Sequence, residues 1–202
     1  MICVHHVSTA FVSSDFPRGA TVPEDVLPLP GVADVDALVQ GIAKLDPAQA
    51  EREEPNILKR HGFPNTYVFT KRCSELNLHR RRGNLRLSVS RPAIVAACDK
   101  FPFPGWTDTA SAMGSFVIAS GTGLTPRVLA AADLPSSVIP CDYVVNAILL
   151  ATTRSAFTAR PEFFLCHVCP GPVRKDFTLR DWYRAGWEQQ KYQPWENALA
   201  PQ

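Results

Sequence analysis

Tyr67 and Lys71 stand four residues apart in Tyr67-Val68-Phe69-Thr70-Lys71. On a helix, side chains at i and i+4 share a face about 6 Å apart along the axis, so a phenol and an ammonium there can act on one group. A cation beside a phenol stabilises the phenolate, which is what a proton donor or acceptor for a reacting oxygen needs. As a bare pattern, Tyr-x-x-x-Lys fits a solvated helix face equally well. Two further features give it context. Ser8 and Thr9 close an apolar, β-branched stretch over residues 2–9, and a second such stretch, 85–89, runs into Arg91-Pro92. The order is hydroxyl-bearing strand, Tyr/Lys helix, next parallel strand. It gathers these groups at the carboxyl ends of strands, where open α/β sheets bind their ligands.

Other elements must hold that arrangement in place. Residues 34–45 carry Val35, Leu38, Val39, Ile42 and Leu45 at helical spacing, and 46–60 add a more polar helix around Pro55. Behind a proline- and acid-rich loop at 13–30, they make residues 13–64 a helical insert before the Tyr/Lys helix. That helix is predicted over 66–77, broken by Gly83. Beyond Pro92 the strand is predicted to extend through 94–98 into a proline-rich turn at 101–106. Residues 111–119 read as helix or buried strand and 138–141 as a short strand, with Asp142 as the N-cap of a helix through Leu150. A final strand follows at 163–168. The last helix, 178–190, places Leu179, Trp182, Tyr183, Gly186 and Trp187 on one side. Strands alternating with helices predict an α/β layer fold.

Composition excludes several classes. Of the 202 residues, 46% are hydrophobic and 20% charged, which rules out disorder throughout. A net charge of 21 − 19 = +2 supplies no basic face for nucleic acid, and only Arg80-Arg81-Arg82 clusters, as a solvated helix end. The apolar run at 144–151 is far short of the roughly 20 residues that span a bilayer, so no transmembrane segment is predicted. The start lacks a signal peptide's basic region and cleavage site, which predicts a reducing, cytoplasmic setting. Cys3, Cys73, Cys98, Cys141, Cys166 and Cys169 lie mostly in apolar stretches, as buried thiols do. Cys166-His167-Val168-Cys169 has zinc-ligand spacing without a second ligand pair, so no metal site is expected. His5 and His6 are expected to pack beside their strand, and Trp106, Trp182, Trp187 and Trp195 to be core or lid aromatics.

The layout is that of a short-chain dehydrogenase/reductase site. Within that superfamily the chain resembles the alcohol-forming fatty acyl-CoA reductases, or male-sterility family. The resemblance rests on His6-Val7-Ser8-Thr9-Ala10-Phe11-Val12, Pro64-Asn65-Thr66-Tyr67-Val68-Phe69-Thr70-Lys71 and Ser90-Arg91-Pro92-Ala93-Ile94-Val95. Further blocks are Phe103-Pro104-Gly105-Trp106-Thr107-Asp108 and Ile139-Pro140-Cys141-Asp142-Tyr143-Val144-Val145-Asn146-Ala147.

The resemblance implies the C-terminal part of a doubly wound, parallel, Rossmann-like sheet with an attached helical substrate-binding region. Residues 1–95 would be the second half of the nucleotide-binding domain and 96–202 the substrate side. It also implies NADPH as cofactor and a fatty acyl-CoA as substrate, reduced through the aldehyde to a fatty alcohol. Thr9, with Ser8 beside it, would donate to the carbonyl oxygen, Tyr67 would protonate that oxygen, and Lys71 would assist the phenol and hold the nicotinamide ribose. The backbone of Arg91, Pro92, Ala93, Ile94 and Val95 would line the nicotinamide. Arg80-Arg81-Arg82 has a coenzyme A phosphate as its alternative contact. Family members often sit at endoplasmic-reticulum or peroxisomal membranes.

The family opens with a Gly-x-x-Gly-x-x-Gly turn that receives the cofactor pyrophosphate. Here the first glycine is Gly19, so the chain is expected to be the back half of a longer enzyme and to bind NADPH weakly by itself. An open sheet edge would invite self-association, which leaves an oligomer open. Residues 116–126 imitate a strand followed by Gly-x-Gly-x-x-Gly, but Pro126 replaces the third glycine and at most 127–133 could form the helix that should follow. Two alternatives to the reductase remain: an inactive remnant or interaction module of the same fold, and another extended short-chain reductase.

Overall fold

The computed structural model describes residues 2–17, 19–122, 124–125, 131–159, 162–171 and 178–192. Trp195, Gly123, Pro126 and most of the 127–133 stretch lie outside these residues. Contacts divide the chain into two units, one of residues 1–92 with 146–168 and one of 93–145 with 169–202.

The first unit is built on a parallel sheet of β1 (Cys3–Val7), β2 (Arg86–Pro92) and β5 (Phe163–Val168), in the order β1-β2-β5. This is a Rossmann-like α/β arrangement. All seven residues of β2 are buried, as expected for a central parallel strand covered on both faces. Its alternation assigns the faces. Leu87 and Val89, with Leu165 of β5, pack with Val4 and Leu78 on one side. Ser88 and Ser90 occupy the other, where Ser88 meets His5. Among the described residues β1 pairs only with β2. A groove of about 470 Å³, lined mainly by Val4, His6, Asn77, Leu78, Leu85 and Leu87, lies on its Val4 and His6 face.

The insert folds as two capped helices. In α1 (Val35–Ala43), Asp34 accepts from the N–H groups of Asp36 and Ala37. In α2 (Pro47–His61), Asp46 and Gln49 form a reciprocal capping box, and Gly62 ends the helix at φ 73°, a left-handed conformation that glycine adopts without steric cost. These helices bury Leu29, Val35 and Phe63 against Val68, Phe69 and Cys73 of α3 (Thr66–Arg81). Helix α3 runs a turn beyond the expected Asn77. Its last turn is basic, which suits the helix dipole, and Arg80 and Arg81 pair with Asp34 and Asp36 at 2.7 and 3.0 Å. The arginine cluster is therefore exposed as expected, yet it also ties α3 to α1.

The second unit holds a two-stranded parallel sheet of β3 (Ile94–Ala96) and β4 (Val138–Pro140), with α4 (Met113–Gly121) and α6 (Leu179–Tyr192). Helix α5 (Cys141–Phe157) crosses the boundary between the units in sequence. Three expectations need correction here. Residues 94–98 do not extend β2; that strand ends at Pro92, and β3 pairs in a separate sheet. Asp142 does not cap its own helix, since its carboxylate accepts from the backbone N–H groups of Asp99, Lys100 and Phe101 at 3.0 to 3.3 Å. Trp187 is 60% exposed rather than on a buried face, whereas Trp182 donates to Ser136 Oγ. Residues 116–119 are helical, so no strand precedes Gly121.

Candidate active site

The motif around Tyr67 starts its own helix. Asn65 is extended, with φ −164° and ψ 165°, and its side chain accepts from Val68 N at 3.0 Å, which begins α3 at Thr66 and puts Tyr67 in the first turn. Tyr67 is 55% exposed. Lys71, one turn on, lies with Nζ 5.9 Å from the Tyr67 ring centroid and donates to the Val7 carbonyl at 2.9 Å. The ammonium is thereby fastened to the carboxyl end of β1, two residues before Thr9.

Ser8 and Thr9 are both buried. Ser8 N donates to Ser90 O at 2.8 Å, continuing the β1–β2 ladder, while Ser8 Oγ has no hydrogen-bond partner. Thr9 caps a short 3-10 helix, Ala10–Ser13, its Oγ1 accepting from Phe11 N at 3.3 Å. A hydroxyl that accepts one bond still has its proton to donate. Pro92 closes β2, and Ala93, Ile94 and Val95 follow in the second unit.

The sequence reading missed a buried ionic cluster. Arg91 and Glu75 are both wholly buried and form a two-pronged pair, Nε to Oε1 at 2.9 Å and Nη2 to Oε2 at 2.6 Å. Arg72, also wholly buried, pairs with Asp15. The signal was present: Tyr67, Lys71 and Glu75 recur every four residues along one stripe of α3, and Arg91 is a charge inside an otherwise uncharged strand interior.

Three histidines surround this region. Burial, then His6, lowers the pKa of His5; burial and the Lys71 ammonium lower that of His6 against the pull of Glu75. Burial and Arg91 lower His167, opposed by Glu24 and Glu75. Each group has a depressed folded-state value, so the unfolded chain takes up protons first as pH falls below the ordinary histidine value of 6.5. Stability is therefore expected to be full above that pH and to decline below it. Denaturant midpoints measured across this range should fall with acid; a flat or rising profile between neutrality and about pH 5 would contradict the assignment.

A parallel Rossmann-like sheet with a Tyr-x-x-x-Lys helix against its hydroxyl-bearing strand marks the class of nucleotide-binding short-chain reductases. More particularly, the chain belongs to the male sterility protein family, whose NAD-binding domain pattern matches residues 1–148 and indicates a nicotinamide cofactor. It is 32% identical to fatty acyl-CoA reductase 1 of Arabidopsis thaliana, across 87% of this chain and 40% of that protein. It is 30% identical to fatty acyl-CoA reductase 2 of Bos taurus and 31% identical to fatty acyl-CoA reductase 1 of Xenopus laevis, each across 81% of this chain and 30% of the relative. The chain thus spans 30 to 40% of the length of these relatives. Among the described residues no helix is long and apolar enough to cross a membrane, and no three potential ligands cluster as a metal site.

Proposed function

We propose that this chain carries the reacting end of an NADPH-dependent fatty acyl-CoA reductase, which takes a long-chain acyl-CoA through the aldehyde to a fatty alcohol. The observation that carries this reading is the Lys71 Nζ bond to the Val7 carbonyl at 2.9 Å, which joins the Tyr67/Lys71 helix to the strand end bearing Ser8 and Thr9. Thr9 donates to the substrate carbonyl oxygen where negative charge develops, and Tyr67 delivers a proton to it. Ser8 Oγ, buried and without a partner, supplies a second hydroxyl beside Thr9.

The residues present fit the nicotinamide end of the cofactor. An ammonium has three donors, and Lys71 spends one on Val7, leaving two for ribose hydroxyls. Pro92, which closes β2, would line the nicotinamide through its backbone. Bound NADPH contributes the hydride.

The test is incubation with NADPH and hexadecanoyl-CoA, and separately with hexadecanal, following loss of reduced nicotinamide and formation of hexadecanol. Two NADPH consumed per alcohol from the thioester, and one from the aldehyde, are expected. No alcohol from either substrate, with NADPH supplied in large excess to offset weak binding, would overturn the proposal for this chain; turnover of a sugar or sterol carbonyl instead would move it to another reductase branch.

A further inference from the structure

Two buried arginines hold the described residues of the segment between the end of β1 and helix α1, one at its two ends and the other within it. Arg72 donates to the carbonyls of Val12 and Pro28 at 2.9 and 3.0 Å. Arg91 donates to the carbonyls of Pro23 and Asp25 at 3.3 and 2.9 Å. A third tie comes from Glu24, whose Oε1 accepts from His167 N at 2.8 Å. Arg91 and His167 are register partners near the carboxyl ends of β2 and β5, and Glu75, which grips Arg91, lies one turn along α3 from Lys71. The stretch 23–25 is thus drawn across the strand ends beside the candidate site.

We propose that Arg91, locked by Glu75, is a positioning residue: it fastens residues 23–25 as one wall of the acyl-CoA side of the site, and the wall holds only while His167 is neutral. This rests on the reductase reading above for what the wall contacts, not for the wall itself. A guanidinium has donors and no acceptor, so the 3.2 Å contact from Arg91 Nη1 makes His167 Nε2 an acceptor and leaves the ring proton on Nδ1. Protonating His167 removes that acceptor and sets a second cation against Arg91. The charged groups facing the ring are Arg91 from β2, Glu24 from the wall and Glu75 from α3. Their signs are mixed, and with burial the net effect disfavours the imidazolium, so acid works against the tie.

The test is hydrogen–deuterium exchange of amides 22–29 in the full chain, corrected for intrinsic rates and referenced to α2, at about pH 7.5 and about pH 5.5, on either side of the histidine range. Wild-type exchange should rise about tenfold at the lower pH. In His167→Gln, whose amide oxygen can accept from Arg91 but does not titrate, the rise should vanish. Glu24→Ala, an exposed change that spares the buried pair, should open 22–29 at neutral pH without affecting α2. Exchange independent of pH, or a rise that survives in His167→Gln, overturns the proposal. In the hexadecanoyl-CoA assay, Glu24→Ala should raise KM about tenfold with kcat within about twofold, as expected for lost binding rather than lost chemistry. Unchanged KM with an opened wall would overturn the contact with substrate. An inactive wild type would count against the reductase reading alone, because the exchange experiment still decides whether the wall exists.

Discussion

Replacing Tyr67 by phenylalanine is expected to lower kcat for hexadecanal reduction by about 10²- to 10⁴-fold, the usual contribution of a positioned proton donor. Phenylalanine keeps the ring and the helix and removes only the hydroxyl. Because Tyr67 is 55% exposed and starts no core contact, folding should be unaffected, which circular dichroism and an unchanged denaturant midpoint would verify. The hexadecanal step is the informative one, since it isolates protonation of a carbonyl oxygen from loss of the thiol. KM should change little, since the missing bond forms chiefly as the oxygen gains charge. A variant that retains activity within about threefold of wild type would remove Tyr67 from the chemistry, because that is far below the effect of losing a general acid.

The second large effect is on stability. Glu75→Leu leaves the Arg91 guanidinium wholly buried without its carboxylate, and breaking a buried pair in this way costs about 3–5 kcal/mol, a large share of the 5–15 kcal/mol that ordinarily holds a domain together. Replacing both partners, Glu75→Leu with Arg91→Met, should cost less than Glu75→Leu alone, because two apolar groups need no compensating charge. The carbonyls of Pro23 and Asp25, which lose Arg91 in the double variant, belong to exposed residues that water can reach. Urea unfolding of the two variants decides the matter. A single variant within about 1 kcal/mol of wild type, or a double variant worse than the single, would show that the pair is hydrated or dispensable.

Tyr67 and Lys71 could be paired from the sequence because four residues on a helix return a side chain to the same face. The same local rules placed helices over 34–45, 46–60 and 66–77, where the structure has Val35–Ala43, Pro47–His61 and Thr66–Arg81. The strand Phe163–Val168 was legible to its ends, as a short apolar run bounded by turn residues. Glu75 and Arg91 were not paired in advance. Sixteen residues separate them, one on a helix and one on a strand, and no short-range pattern says that two charges will be driven into the same interior.

Local chemistry, acting over about one helical turn, was enough to place the Tyr67/Lys71 stripe, the hydroxyls after β1 and most of the strands and helices, though not the type of 111–119 or the break after Pro92. Only the folded chain decided what those groups touch. Lys71 reaches the Val7 carbonyl across 64 residues, and Asp142 is drawn away from its own helix to three N–H groups more than forty residues earlier. Residues 86–92 and 94–96 join different sheets although one alanine separates them. Each of these outcomes is a choice among partners that are equivalent in the sequence, and it is settled by which of them packing brings within hydrogen-bond reach once burial has made an unpaired polar group costly.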